Sequence, residues 1–285
     1  MSRGRYAAEP EASSGKKDLA SKIIGALGEV LISVGVLVVL FLVWQLWWSD
    51  VQSAQAQAAL QNDVAWIVPL DQLPSGAEAE QDPAAAEPPV LALPEGEGEL
   101  FATLLVPAWG DDYQRTVHQG VDKRVVLDPL GIGHFQESVG PGEPGNFALA
   151  AHRTTFGRPF HNMHDLSAGD AVVVRTEQAW YVYRITVGPY IVDPHQVGVV
   201  AEVPFLVDDD GAQDLVETGA SASNGASAVA GAGELQRLIT LVACHPLYSA
   251  RERIVVHGEL ESWQPASAGV PEVLMTAGAA DEAEG

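Results

Sequence analysis

The amino-acid sequence predicts an all-β domain, either a sandwich or a closed barrel, carried behind one membrane-spanning helix. A continuous apolar stretch covers residues 23–48. From Leu100 onward, short runs rich in Val, Ile, Thr and aromatic residues alternate with Gly, Pro and Asp. This alternation is typical of many short strands joined by turns. The length of 285 residues fits one domain of ordinary size with tails on both sides.

The apolar stretch is long enough to cross a hydrocarbon core of about 30 Å. It ends in Trp44, Trp47 and Trp48, which form an aromatic belt. The residues ahead of it are rich in Lys and Arg, whereas no basic residue follows it until Arg115. This asymmetry predicts a single-pass anchor in the plasma membrane with a cytoplasmic amino terminus and an extracellular domain. A cleaved signal peptide is the alternative, but the stretch is long for a signal-peptide core.

Composition divides the chain further. Residues 1–22 form a basic cytoplasmic tail, and residues 49–98, rich in Ala, Gln, Glu and Pro, predict an extended stalk whose start continues the helix over 54–60. Residues 99–262 form the folded domain, and within it residues 208–234 predict a flexible low-complexity insertion. The acidic residues 263–285 predict a disordered tail.

Short β-prone runs fill the folded domain. The predicted strands are 100–106, 131–136, 146–151, 171–176, 179–187, 189–192, 237–243 and 253–260. Short helices are predicted within 116–127 and 159–166. Many short strands at this spacing favour a sandwich or a barrel.

The charge balance excludes one class of partner. The chain carries 38 acidic and 15 basic residues, a formal net charge of −23, and nucleic-acid binding requires concentrated Lys and Arg. Asp208 to Asp210 lack the ligand spacing of a calcium loop. His161 and His164 lie three residues apart, but no Cys or carboxylate pattern completes a zinc site. We expect no metal and no other cofactor.

Cys244 is the single cysteine of the chain. It ends an apolar strand-like run and precedes His245 and Pro246, where proline stops the strand. A residue at a strand end is both rigidly held and accessible, which suits a nucleophile. The alternative is that Cys244 packs as a small buried hydrophobe.

A reactive thiol needs assistance, because a free thiol is only a few per cent ionised at neutral pH. Arg253 begins the next predicted strand, and a hairpin returns it beside Cys244. Its planar fork of donors suits a carbonyl oxygen on which negative charge develops. Arg251 is a rival for this role. The other interpretation of Arg253 is a surface residue paired with Glu252 or Glu259.

The acid–base partner is expected to be one of the eight histidines. His152 follows the apolar strand 146–151 and precedes a polar loop, as Cys244 also follows a strand and precedes a loop. His245 is adjacent to Cys244 in sequence, but neighbours in an extended chain point to opposite sides. His152 is therefore the predicted partner.

Two segments resemble the sortase transpeptidases. "ITLVACHPLYSARERIVVHG" (239–258) resembles the active-site strand of that family, whose pattern is Thr-Leu-x-Thr-Cys followed by Arg. "NFALAAHRTTFGRPFHNMHDLSAGD" (146–170) resembles the family's histidine segment. The Cys-His-Pro and Ser-Ala-Arg-x-Arg details are similar to the class E sortases of actinobacteria. The resemblance covers about residues 99–262.

The resemblance implies a closed eight-stranded β-barrel and assigns roles to five residues. Cys244 matches the nucleophile, His152 the general acid and Arg253 the residue that stabilises the oxyanion. Thr240 matches the first threonine of the motif, and Ala243 stands where the second threonine usually does. We expect Thr240 and Ala243 to contact substrate.

The resemblance also implies a function. The expected activity is cleavage of a Leu-Pro-x-Thr-Gly or Leu-Ala-x-Thr-Gly sorting signal between Thr and Gly on an exported protein. A thioester on Cys244 is then transferred to the amine of a peptidoglycan precursor of the lipid II type. The segment 189–206 is expected to shape the choice of signal. The alternatives are a pilus-assembling sortase that uses a pilin lysine, and an inactive membrane-tethered peptide-binding module, which Ala243 alone favours.

Overall fold

A computed structural model describes residues 14–62, 64–68, 87–208, 211–214 and 235–275. The chain divides into two compact units, Met1–Trp48 and Ser49–Gly285. The helix α1 covers Ser14–Asn62 and is 49 residues long. Within it, Lys22–Gln45 has a mean hydropathy of 2.7 and no buried residue, so this part is long and apolar enough to cross a membrane. The helix also includes the predicted continuation over 54–60.

Eight strands of the second unit close into a barrel in the order β1-β2-β3-β4-β9-β10-β6-β5. These strands are β1 (Leu100–Leu105), β2 (Gln114–Gln119), β3 (Ile132–His134), β4 (Gly145–Ala151), β5 (Ala171–Arg175), β6 (Ala179–Val192), β9 (Arg237–His245) and β10 (Glu252–Pro265). The β2–β3 and β4–β9 pairs are parallel, and the other pairs are antiparallel. The closed barrel that the family resemblance implied is confirmed.

Alternation along the strands separates the barrel interior from its outer face. Ile239, Leu241 and Ala243 of β9 belong to the main apolar core, together with side chains from the other strands of the barrel. Because successive side chains of a strand point to opposite faces, Thr240, Val242 and Cys244 lie on the outer face.

A separate cluster covers part of that outer face. Val192, Val242 and Val255 pack with Val199, which lies in the 3-10 helix Val197–Val200 that follows β6. The chain then forms the hairpin of β7 (Phe205–Asp208) and β8 (Gly211–Asp214). We call residues 193–206 the covering segment. The predicted insertion 208–234 begins within this hairpin, and its residues 215–234 lie outside the described residues.

Two regions of the barrel differ from the predicted strands. The short helix predicted within 116–127 is confirmed as the π-helical turn Lys123–Leu127, but the start of that region, for which no strand was predicted, forms the end of β2. Strand formation here follows from pairing on both sides, with β1 and with β3. The predicted strands 179–187 and 189–192 form one strand, β6, because β10 pairs along both and absorbs the irregularity through shifts of register.

The ends of the folded unit extend past the predicted boundaries. Leu91 and Leu93 pack against the main core, and the Tyr181 hydroxyl donates to the Pro89 carbonyl at 3.2 Å. At the other end β10 runs to Pro265, and Val270 is buried. The predicted stalk and tail therefore both contribute residues that pack on the barrel. Residues 63, 69–86 and 276–285 of those segments lie outside the described residues.

Candidate active site

The strand ladders pair Arg253 with Cys244 and end two residues short of His152. Arg253 of β10 lies directly opposite Cys244 of β9. On the other side of β9, Ala150 of β4 lies beside Val242, and the same register continued by two residues places His152 beside Cys244. Neighbouring strands lie about 4.8 Å apart, and residues at one level project to the same face. The row lies at one rim of the barrel, on its outer face.

All three side chains are half-buried. Cys244 is a free thiol in the second-to-last position of β9, a strand held on both sides by β4 and β10. Its neighbour Ala243 is only 3% exposed and belongs to the main core. The partial exposure of Cys244 therefore favours access from solvent over packing as a buried hydrophobe.

Arg253 is fixed by backbone groups of the turn that precedes it. One terminal nitrogen of its guanidinium donates to the carbonyls of Ala250 and Glu252, both at 2.9 Å. Across the described part of the chain, no carboxylate forms a salt bridge with Arg253. The pKa of Asp193 lies below its ordinary value, mainly because of hydrogen bonds from His195 and in smaller part because Arg253 is near. The guanidinium charge is thus not neutralised by a direct partner.

His152 contacts a carboxylate that the sequence analysis did not identify. Its Nε2 lies 2.7 Å from Oδ1 of Asp128, the residue that follows the π-helical turn. Asp128 also accepts from Lys123 at 2.7 Å. Burial alone would raise the pKa of Asp128, but the hydrogen bonds from Lys123 and His152 outweigh it and lower that pKa below the ordinary value. Asp128 is therefore a carboxylate at neutral pH.

A second missed residue, Arg153, joins the two ends of the site. Its side chain is buried, and one terminal nitrogen donates to Nδ1 of His245 at 2.8 Å. His161 in turn bonds the carbonyl of Arg153 through Nδ1 at 2.9 Å. This contact links the residue after His152 to the residue after Cys244, and it turns His245 away from the face of Cys244. No spacing pattern in the sequence indicates a contact between residues 92 positions apart.

The placement of His161 also bears on the zinc alternative. In the described ranges, no group of three His, Cys, Asp or Glu side chains is arranged to hold a metal ion. His164 is exposed and contacts the adjacent Asp165 at 3.3 Å. His161 serves the structure of the rim through its contact with Arg153.

Thr240 and Ala243 do not have the exposure that substrate contact requires. Thr240 has no exposed surface, and Ala243 is 3% exposed. A peptide bound on the surface reaches only atoms that solvent also reaches, so the predicted substrate contacts of these two side chains are not supported. Ala243 points into the barrel core, and the hydroxyl of Thr240 is used in a buried hydrogen-bond network.

This network crosses four adjacent strands below the catalytic row. Asn146 donates through Nδ2 to the carbonyl of Ala201 at 2.9 Å, so its Oδ1 accepts the Thr240 hydroxyl proton at 2.7 Å. Thr240 must then accept from Nδ1 of His257 at 2.7 Å, which leaves Nε2 to accept from the Tyr190 hydroxyl at 2.5 Å. Burial lowers the pKa of His257 to about 3, in keeping with this neutral tautomer. The network ties the covering segment to the barrel.

An apolar level separates the network from the catalytic row. Ala150, Val242 and Val255 occupy the same level of β4, β9 and β10. Tyr190 of β6 starts at this level, and its hydroxyl reaches from there to His257 in the network. The covering segment borders this level through Val199. A cavity of about 710 Å³ lies elsewhere, between residues 53–61 of α1 and loops of the barrel. Phe156, whose ring centroid is 5.2 Å from that of His152, forms part of its wall.

Comparison with known proteins adds independent information. The sequence model of the Sortase domain family matches residues 104–261. The chain is 30% identical over 281 residues to Sortase SrtE1 of Streptomyces coelicolor, covering 95% of this chain and 67% of that protein. The structure is similar to that of sortase E from Streptomyces avermitilis, with 32% identity, a TM-score of 0.50, and coverage of 63% of this chain and 99% of that one.

A second solved structure, sortase E1 of Streptomyces coelicolor with a tripeptide in its active site, has 29% identity and a TM-score of 0.50 and covers 64% of this chain and 99% of that one. The region matched by the family model contains His152, Cys244 and Arg253 and nearly the whole barrel. On this evidence the chain belongs to the sortase family of cysteine transpeptidases.

Proposed function

We propose that this protein is a membrane-anchored sortase that joins exported proteins to the cell wall. Its substrate is a sorting signal of the Leu-Pro-x-Thr-Gly or Leu-Ala-x-Thr-Gly type, cleaved between Thr and Gly. Its acceptor is the amine of a peptidoglycan precursor. The observation that supports this most directly is the row of His152, Cys244 and Arg253 at one barrel rim.

In the first half-reaction the thiolate of Cys244 attacks the carbonyl carbon of the signal's threonine. Negative charge develops on the carbonyl oxygen, where the guanidinium of Arg253 stabilises it. The bond to glycine then breaks as His152 donates a proton to the departing amine. The products are a thioester on Cys244 and a free glycine amine.

In the second half-reaction the acceptor amine attacks the thioester carbonyl. His152, now neutral, takes the proton that the amine loses, and the Cys244 thiolate departs. A new amide bond joins the exported protein to the precursor. Arg253 stabilises the second oxyanion as it did the first, so one set of groups serves both directions of proton transfer.

The apolar level beside the row offers a floor for the peptide. Ala150 is a small, partly exposed side chain beside Val242, and the covering segment borders it. The bound tripeptide in the active site of sortase E1 supports peptide binding at the equivalent place. Residues 189–206 then shape the choice between Pro and Ala at the second position of the signal.

The membrane arrangement completes the proposal. The apolar part of α1, Lys22–Gln45, is consistent with a membrane anchor. The basic residues before it and their absence up to Arg115 place the amino terminus in the cytoplasm and the barrel outside. Exported substrates and cell-wall precursors are found on that outer side.

A Cys244→Ala substitution tests the activity. The full-length protein in detergent is mixed with a Leu-Ala-x-Thr-Gly peptide, and mass spectrometry detects the acyl adduct. Wild type is expected to form an adduct that hydroxylamine removes, and the variant to form none while its barrel stays folded, because Cys244 lies outside the core. Persistent turnover by the variant would reject the assignment, and peptide binding without any adduct in wild type would identify an inactive binding module.

Amine competition separates the two transpeptidase alternatives. A precursor stem peptide and a lysine peptide are offered together to the acyl-enzyme. Preferential transfer to the stem peptide supports attachment to the cell wall, whereas preferential transfer to lysine indicates pilus assembly.

A further inference from the structure

Four side chains form a closed cluster on the side of His152 that bears Nε2. Asp128 Oδ1 lies 2.7 Å from His152 Nε2, and both side chains are largely shielded, with 21% and 15% exposed. Lys123 binds both oxygens of the same carboxylate, at 2.7 and 2.9 Å. Phe156 completes the cluster, because its ring lies 5.2 Å from both the His152 ring and the Lys123 ammonium.

The hydrogen bond between Asp128 and His152 decides which ring nitrogen of His152 is free for proton transfer. A carboxylate only accepts hydrogen bonds, so Nε2 of His152 carries a proton. Within the described residues, Nδ1 has no hydrogen-bond partner. Nδ1 is therefore the nitrogen that gives its proton to the leaving amine and later takes one from the acceptor amine. Without Asp128 the ring would be free to rotate and to exchange its tautomer.

The contact also acts on charge. A carboxylate at hydrogen-bond distance stabilises the protonated imidazole more than the neutral one. Lys123 opposes this effect, since it shares the carboxylate and places a second positive charge nearby. Its side chain is 65% exposed, so solvent screens its charge more than that of Asp128.

We infer that Asp128 is a positioning residue of the transfer reaction: it fixes the ring of His152 with Nδ1 toward the thiol and stabilises the imidazolium, and Lys123 limits this stabilisation. The inference rests on the proposed roles of His152 and Cys244. Asp128 keeps its bond to the Nε2 proton throughout, and the proton that moves is the one on Nδ1.

Other charged groups surround His152 from the neighbouring elements. Arg153 follows it on the chain but is buried and paired with His245. Cys244 and Arg253 lie opposite each other on β9 and β10, and β9 is the neighbour of β4, the strand that His152 directly follows. Among the described residues, Lys123 is the only side chain besides His152 that contacts the carboxylate of Asp128. The charges of Lys123 and Asp128 can therefore be varied separately.

The test compares three variants of the full-length protein. Asp128→Asn keeps the shape and one acceptor oxygen but removes the charge. It is expected to lower kcat for transpeptidation by about tenfold or more, the scale of one charge-assisted hydrogen bond, with little change in KM for the sorting peptide. The alkaline limb of the pH–rate profile, on which activity falls as pH rises, is expected to move to lower pH. Asp128→Glu restores part of the rate.

Lys123→Met is expected to move the same limb in the opposite direction, to higher pH, because the competing cation is gone. Asp122→Asn is the matched control. Asp122 caps the same π-helical turn by accepting from Arg124 and Val125, so the control removes one negative charge from that turn without touching His152. Asp122→Asn should leave this limb of the pH–rate profile at the same pH as in wild type.

Alkylation of Cys244 by iodoacetamide provides a readout that needs no sorting peptide. An imidazolium beside the thiol favours the reactive thiolate, so Asp128→Asn should slow alkylation at neutral pH and Lys123→Met should hasten it. Folded Asp128→Asn protein, verified by circular dichroism, that matches Asp122→Asn in both the pH–rate and alkylation profiles would overturn the inference. If wild type shows no turnover that depends on Cys244, the proposed function fails, and the alkylation profiles still decide the role of Asp128.

Discussion

Arg253 shows how one side chain is prepared for charge stabilisation. Its guanidinium is anchored to the carbonyls of Ala250 and Glu252, so its position is fixed without loss of its net charge. A carboxylate partner would have compensated that charge and reduced its effect on a developing oxyanion. Fixed donors that need no rearrangement during the reaction are the most effective kind.

Replacing Arg253 by Lys is expected to lower the rate of thioester formation by about 10²–10³-fold, because lysine carries a point charge without the planar fork of donors. Single-turnover mass spectrometry of the acyl-enzyme measures this rate. Arg251→Lys is the control, since Arg251 is exposed and its contacts are with Ser249 in the turn. The reverse ranking of the two variants would assign the oxyanion role to Arg251.

The sequence identified only part of the site at the residue level. Cys244, His152 and Arg253 occur in motifs with a recognisable order, so local patterns were enough to predict them. Asp128 and Arg153 were missed because their contacts join positions 24 and 92 residues apart. The motif position of Thr240 was recognised, but the predicted contact with substrate is not supported, because the side chain is buried. Its burial depends on the covering segment, which no pattern around Thr240 reveals.

At the level of elements, the end of α1 is part of the barrel unit. Gln57 donates to the Leu130 carbonyl at 2.6 Å and accepts from the backbone N–H of Thr116 at 3.1 Å. Gln61 donates to the Gln114 carbonyl at 3.1 Å. Thr116 is fully buried, so the helix satisfies a polar group that would otherwise lack its partner.

Gln57→Ala is expected to lower the free energy of unfolding by about 1–3 kcal/mol, because it leaves the buried N–H of Thr116 without its acceptor. Thermal melting of the protein in detergent measures the change. Gln55→Ala removes the same side chain from an exposed position of the same helix and should have little effect. Equal melting temperatures for both variants would show that the contacts of Gln57 add nothing to stability.

Other elements show why local patterns mislead. Residues 116–119 alternate poorly, since all four are buried, and a strand buried on both faces lacks the period of two that identifies strands. The joining of 179–187 with 189–192 depends on β10 as a common partner. In both cases the deciding contacts come from distant parts of the chain.

At the scale of the whole molecule, three buried histidines are distributed around the barrel wall. Burial is the main cause that lowers the pKa of His118, and it lowers that of His134 to about 4 and that of His257 to about 3. Each ring uses both nitrogens in hydrogen bonds. A second proton would place a charge on a ring that burial keeps from water, so the folded state favours the neutral form.

Acid is therefore expected to destabilise the protein. Between the ordinary histidine value of 6.5 and the lowered values, the unfolded chain binds more protons than the folded one, so the free energy of unfolding falls as pH falls. Each such histidine contributes a slope of about 1.4 kcal/mol per pH unit within its window. Urea denaturation from pH 7 to pH 4 measures the total slope.

His257→Gln offers a specific check, because the amide supplies one donor and one acceptor but does not titrate in this range. Its slope should be smaller than that of wild type by about one proton. His164→Gln, at an exposed position, is the matched control. Identical slopes for all three proteins would mean that His257 is not held neutral by the fold.

Composition left two architectures open, and contacts between distant strands decide between them. A sandwich and a barrel share the same alternation of inward and outward residues. Closure requires β1 to pair with β5, as in Thr103 with Arg175, a contact between segments that are far apart in the sequence. The family resemblance supplied the closed barrel because it carries information about the whole domain.

The covering segment follows β6 and leads into the β7–β8 hairpin, so an engineer can exchange it as a cassette. None of the three catalytic side chains lies within it. A chimera has to preserve the carbonyl of Ala201, which accepts from the buried amide of Asn146, and the packing of Val199 on Val242 and Val255. A library of transplanted cassettes that respects these contacts would redirect signal preference while the chemistry of the rim stays as it is.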